Sequence, residues 1–150
     1  MNEDVLTLAS RWKRLGGIIV DVLIVVGIHT LILLATNMLK QAYSDQSTIQ
    51  EQALYVVLDW AVFLTLNGYL LYTRGQTIGK VVVKTKIVDM GGKIPSFARL
   101  VLLRYLTPML VGAIPIIGGI FGILNPLFIF GKERRCVHDY MAGTRVVNTS

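Results

Sequence analysis

From Leu15 to Leu39 the chain is apolar except at Asp21, His29, Thr30, Thr36 and Asn37. A helix needs about 20 such residues to cross the hydrocarbon of a bilayer, and this run offers 25. Leu54 to Thr73 is a second run of spanning length, interrupted by Asp59, Thr65 and Asn67. Leu100 to Phe130 is a third, broken by Pro108, Pro115, Gly118, Gly119 and Pro126. Hydrophobic residues make up 53% of the 150-residue chain and charged residues 16%, where a soluble domain carries about 25% charged residues. This balance excludes an ordinary soluble enzyme domain and a disordered chain, and a lone cysteine, Cys136, excludes a disulfide scaffold. The net charge of +6 does not imply nucleic acid, because the basic residues flank apolar runs and form no patch interleaved with aromatics. One membrane domain, residues 1–150, is expected.

The first run is too long for the apolar part of a signal peptide, and it follows Glu3 and Asp4, so it reads as an uncleaved helix. Charge then sets orientation. Arg11, Lys13 and Arg14 precede the first run. The stretch from Lys40 to Gln52 sets one basic residue against Asp45 and Glu51. Arg74 to Arg99 is strongly basic with a single acid, Asp89, and Lys132, Arg134, Arg135 and Arg145 follow the third run. The positive-inside rule places both termini and the Arg74–Arg99 loop in the cytoplasm. One crossing by the third run would strand the basic tail outside, and two full helices need about 40 residues. A re-entrant or short hairpin turning around Pro115 to Gly119 satisfies both. The expected fold is an all-α membrane protein with two full transmembrane helices, a Pro/Gly-broken third segment and a small cytoplasmic β-hairpin. The hairpin is expected from the alternation in Lys84–Asp89 and the turn signal Asp89–Lys93, with Thr144–Asn148 as a further strand.

Ionisable groups inside apolar spans mark partners or paths, because each costs at least ~2.5 kcal/mol at the bilayer centre. Asp21, His29, Asp59 and Arg104 are such groups, joined by the amide of Asn67. Counting inward at ~1.5 Å per residue, Asp21 and Asn67 lie ~9 Å deep, and His29 and Asp59 ~21 Å deep. Two antiparallel helices would therefore carry two polar layers, Asp21 with Asn67 and His29 with Asp59, and the second has the composition of a proton relay. Simpler readings stand beside this one: Asp59 near the outer interface, His29 bonding a helix neighbour without titrating, and Arg104 snorkelling to the inner surface.

The scattered histidines and Cys136 form no metal constellation. Gly75-Gln76-Thr77-Ile78-Gly79-Lys80 lacks the Walker spacing, and no nucleophile stands beside a base. No enzymatic activity, metal or cofactor is expected. Gly118-x-x-x-Gly122 has the spacing of a close helix contact or serves the turn.

Four segments together carry a resemblance. Arg14-Leu15-Gly16-Gly17-Ile18-Ile19-Val20-Asp21 opens the first span, and Gly75-Gln76-Thr77-Ile78-Gly79-Lys80 follows the second. Arg134-Arg135-Cys136-Val137-His138-Asp139 and Met141-Ala142-Gly143-Thr144 come near the end. In this order they resemble the RDD family of small prokaryotic membrane proteins, named for one arginine and two aspartates. The resemblance puts the arginine on Arg14, the first aspartate on Asp21 and the second on Asp139, with Asp59 as a rival; His138, Gly79 and Lys80 fall in its motifs. It implies a multi-pass protein of the bacterial inner membrane. Some members are described as sodium/proton antiporters.

The expected function is accordingly transport of monovalent cations or protons by a homo-oligomer in the lipid bilayer. Asp21 would serve as the intramembrane carboxylate and Arg14 as its competitor or partner. The alternative is a membrane assembly or regulatory module in which Arg14 bridges Asp21 and Asp139.

Overall fold

The computed structural model describes residues 6–36, 48–112, 114 and 116–149. Glu3, Asp4, Asn37, Lys40, Asp45 and Pro115, on which sequence expectations rested, lie outside them. The architecture is mostly helical, with two long apolar helices and one two-stranded antiparallel sheet.

Helix α1 spans Arg11–Ala35; Ser10 caps it by accepting the Lys13 amide. Helix α2 spans Ile49–Arg74 and starts in a capping box, in which Thr48 and Glu51 satisfy each other's amides. Both helices turn apolar side chains outward: Leu23 and Leu31 of α1 are 67% and 66% exposed. A soluble protein would bury such faces, whereas in a bilayer lipid covers them. Gly75 ends α2 in the left-handed region, at φ 62°. The chain then enters the one-turn helix α3, Ile78–Val82, capped by Thr77, which packs closely on α1. That approach depends on Gly79, because a Cβ there would strike the Gly17 carbonyl and come within 2.8 Å of the Asp21 carboxyl carbon.

Strand β1, Thr85–Asp89, pairs with β2, Thr144–Asn148, in the register Ile87 to Val146. The expected local hairpin does not form. The turn at Asp89–Lys93 closes, with the Asp89 amide donating to Lys93 at 2.8 Å. Pro95, which has no N–H for a ladder, and the helix cap Ser96 then end any return strand. The strand expected as an addition is the actual partner. Residue 8 adds a bridge to Val147, and Ala9, Ile87 and Val146 bury against Leu71 and Leu100.

The third apolar run is broken as expected. Helix α4, Phe97–Arg99, continues into a π-helical segment, Leu100–Leu106, and helix α5, Thr107–Gly112. The chain breaks around Ile116, which stands at φ 66°, and resumes as α6, Ile117–Leu127, followed by a 3₁₀ turn, Phe128–Phe130. Gly118 belongs to this break: a Cβ there would collide with the Gly112 backbone, while Gly122 has nothing within 4 Å. Both ends of the run come back to one place, since Arg104 and Asn125 each bond the short helix α7, Val137–Met141.

Candidate functional site

Two carboxylates organise one end of the molecule. Asp139 sits at the third position of α7, where its Oδ2 accepts the Cys136 amide at 3.0 Å and so caps its own helix. The same side chain receives Arg14 from α1 and Arg104 from the π-helical segment, one on each oxygen. Arg104 also donates to the Thr144 hydroxyl at 2.6 Å, and Arg14 to the Arg134 carbonyl. All three charged groups are buried, Asp139 completely. Burial alone would raise the Asp139 carboxyl, but Arg104, His138 and Arg14 outweigh it and hold the group well below the usual carboxylate range. His138 is pushed the other way, down to about 3, first by burial and then by the Arg104 charge. Its Nδ1 lies 3.0 Å from Asn125 Oδ1, so that nitrogen carries the proton of the neutral ring. Burial also pushes the Cys136 thiol up.

This arrangement confirms the link between Arg14 and Asp139 and corrects two expectations. Among the described residues Arg14 makes no bond to Asp21, and Arg104 does not snorkel but is 3% exposed and committed to Asp139. The π-helical segment supplies the reason. Its widened turn, with Thr107 bonded back to Leu102 at 2.8 Å, carries Arg104 on the inward face. Donor atoms of Cys136, His138 and Asp139 do lie within 4.8 Å of one another. Two guanidinium groups already occupy the carboxylate, however, and their charge disfavours a cation there.

Asp21 has different company. Its oxygens accept the Thr77 hydroxyl at 2.5 Å and the Gly79 amide at 2.7 Å, and Lys80 Nζ stands 3.9 Å away. From the other side Asn67 accepts the Ile78 amide at 2.9 Å and donates to the Phe63 carbonyl. The expected layer of Asp21 with Asn67 therefore exists, but through an intermediary: both side chains grip the start of α3, the segment Thr77 to Lys80. The deeper layer is direct, with His29 Nδ1 bonded to Asp59.

A cavity of about 400 Å³ opens beside Asp21. Lys80, Arg104, His138 and Asn125 line its polar end, and Val22, Val25, Phe63 and Pro108 part of its apolar wall. Sequence reasoning missed Asn125, whose only signal was an amide inside an apolar run. It left Thr77 as an unassigned motif position.

No curated protein matches the chain, and no solved structure matches it. The RDD family matches residues 8–143, which take in Arg14, Asp21 and Asp139 and every partner named for them. The chain belongs to the RDD family of membrane proteins.

Proposed function

We propose that the protein moves a monovalent cation or a proton across the bacterial inner membrane, in the manner of a sodium/proton antiporter. In this reading both termini are cytoplasmic and the broken third run is a re-entrant hairpin. One observation carries it: Asp21 lines a cavity beside an ammonium 3.9 Å away, while the arginine expected to neutralise it is committed elsewhere. A carboxylate so placed exchanges a lysine partner for an incoming cation more readily than one clamped by two guanidiniums. Lys80 thus takes the competing role first given to Arg14. His29 and Asp59 supply a second station farther along α1 and α2. Three apolar segments enclose little, so the path completes itself between copies in a homo-oligomer.

The test is cation-induced proton flux in liposomes holding purified protein. Flux that falls at least about tenfold in Asp21→Asn supports the reading; no flux in either protein removes it.

The hydrogen bonds from Thr77 and Gly79 to Asp21 favour a second reading, an assembly module in which Arg14, Asp21 and Asp139 hold helices and surface elements together. There Asp21→Asn lowers oligomer stability and leaves flux unchanged.

A further inference from the structure

Behind the 400 Å³ cavity lies a second, small space of about 20 Å³. The two share Ile18, Lys80, Arg104 and His138 as walls, so they adjoin. Their chemistry is opposite. The larger is mainly apolar. The smaller is walled by three cationic side chains, Arg14, Lys80 and Arg104, with the Thr85 hydroxyl among them. Against these three positive charges stand two negative ones nearby, Asp139 and Asp21, which leaves one positive charge in excess. The Thr85 hydroxyl is fully buried here and, among the described residues, has no hydrogen-bond partner. Buried polar groups are normally paired, so an unpaired hydroxyl beside surplus positive charge points to an anionic acceptor.

Size narrows the class. A space of 20 Å³ holds about one oxygen-sized group. That suits one oxygen of a carboxylate, the other facing Lys80, and is too small for a phosphodiester carrying a glycerol backbone. The larger cavity has the volume of a small-molecule site, and its apolar wall suits hydrocarbon.

We propose that the two spaces form a binding site for a single-chain monocarboxylate of the fatty-acid type. The head lies among Arg14, Lys80, Arg104 and Thr85, and the chain lies along Val22, Phe63, Pro108 and Gly122. The site stands on its own geometry whether or not the protein moves ions.

The molecule carries its own reporter. Trp60 stacks on Phe63 at 5.5 Å, and Phe63 lines the cavity. Trp12, 74% exposed, is removed as Trp12→Phe. Dibrominated stearate added to this protein in lipid nanodiscs should quench Trp60 saturably. Its methyl ester should bind at least about tenfold more weakly, and dibrominated phosphatidylglycerol should give only unsaturable quenching. Gly122→Leu adds bulk at the cavity wall, where a Cβ meets nothing within 4 Å, and should abolish the saturable component. Gly119→Leu adds the same bulk to the same helix away from the cavity walls and should keep it. Thr85→Val should weaken binding about tenfold through the lost hydrogen bond to a charged head. Unsaturable quenching by the acid, equal binding of acid and ester, saturable binding of the phospholipid, or identical behaviour of the two leucine variants would each overturn the site.

Discussion

Asp21 and Asp139 sit at the same end of the molecule and are built for different work. Asp139 has no exposed surface, caps its own helix and carries a guanidinium on each oxygen. Asp21 lies on a cavity wall, held by a hydroxyl, an amide and a more distant ammonium. The first cannot change partners without exposing two buried cations. The second can, because each of its contacts is replaceable by water or an ion. The chain therefore uses these two aspartates unequally: one fastens the surface elements to the long helices, and the other lies open on a cavity wall.

The largest expected effect tests that inequality. Asp139→Asn leaves two buried guanidiniums without a counter-charge and should cost about 3–5 kcal/mol of stability, read by denaturation in detergent. Asp21→Asn keeps one oxygen for the Gly79 amide and turns its NH2 to the Thr77 hydroxyl, which then accepts, so it should cost about 1 kcal/mol. Equal losses would erase the distinction.

Acidity should probe the Asp139 end of the comparison. The Asp139 carboxyl is depressed in the folded state, so its contribution is complete above the ordinary carboxylate range and is lost as pH falls below it. His138 is also depressed, to about 3, and an unfolded histidine takes up its proton near 6.5. Stability should therefore decline as pH drops from about 6.5 to the ordinary carboxylate range by one proton's worth of slope, with Asp139 adding to it below that, and His138→Gln should flatten the upper part of the decline. A stability profile flat across this window in the unmodified protein would contradict the burial of His138.

A double-mutant cycle sharpens the contrast at smaller scale. Once Arg14→Ala has removed one clamp, Asp139→Ala should cost less than it does alone, with a coupling of about 1–3 kcal/mol. Additive losses would mean that the contact holds nothing. Smaller still, Gly79→Ala forces α3 away from Gly17 and Asp21 and should cost about 1–3 kcal/mol, while Gly122→Ala meets open space and should cost almost nothing.

Much of this was legible in the chain. Length and apolarity gave α1 and α2, and depth counting paired His29 with Asp59 because helical rise is constant. Asp21 and Asn67 also fell at one depth, yet their contact through α3 was hidden, because a motif of small residues says nothing about which side chains it receives. Arg104 was misjudged for a physical reason. An arginine near the end of an apolar run normally reaches for water, and only the π-helical turn and a distant aspartate make burial preferable. The strand pairing failed at Pro95, where turn chemistry pointed to a neighbour and the absence of a donor sent the chain elsewhere. Asn125 was overlooked because a single amide inside an apolar run carries no sign of the histidine it meets from the far side of the turn.

The fold closes on itself late. Arg14 and the carboxylate that neutralises it are separated by 125 positions, and β1 must wait for β2. During synthesis the guanidinium enters the bilayer boundary with no counter-ion of its own, and the sheet edge stays open until the last stretch emerges. A chain cut short before Asp139 would lack both the carboxylate that gathers Arg14 and Arg104 and the strand that pairs with β1.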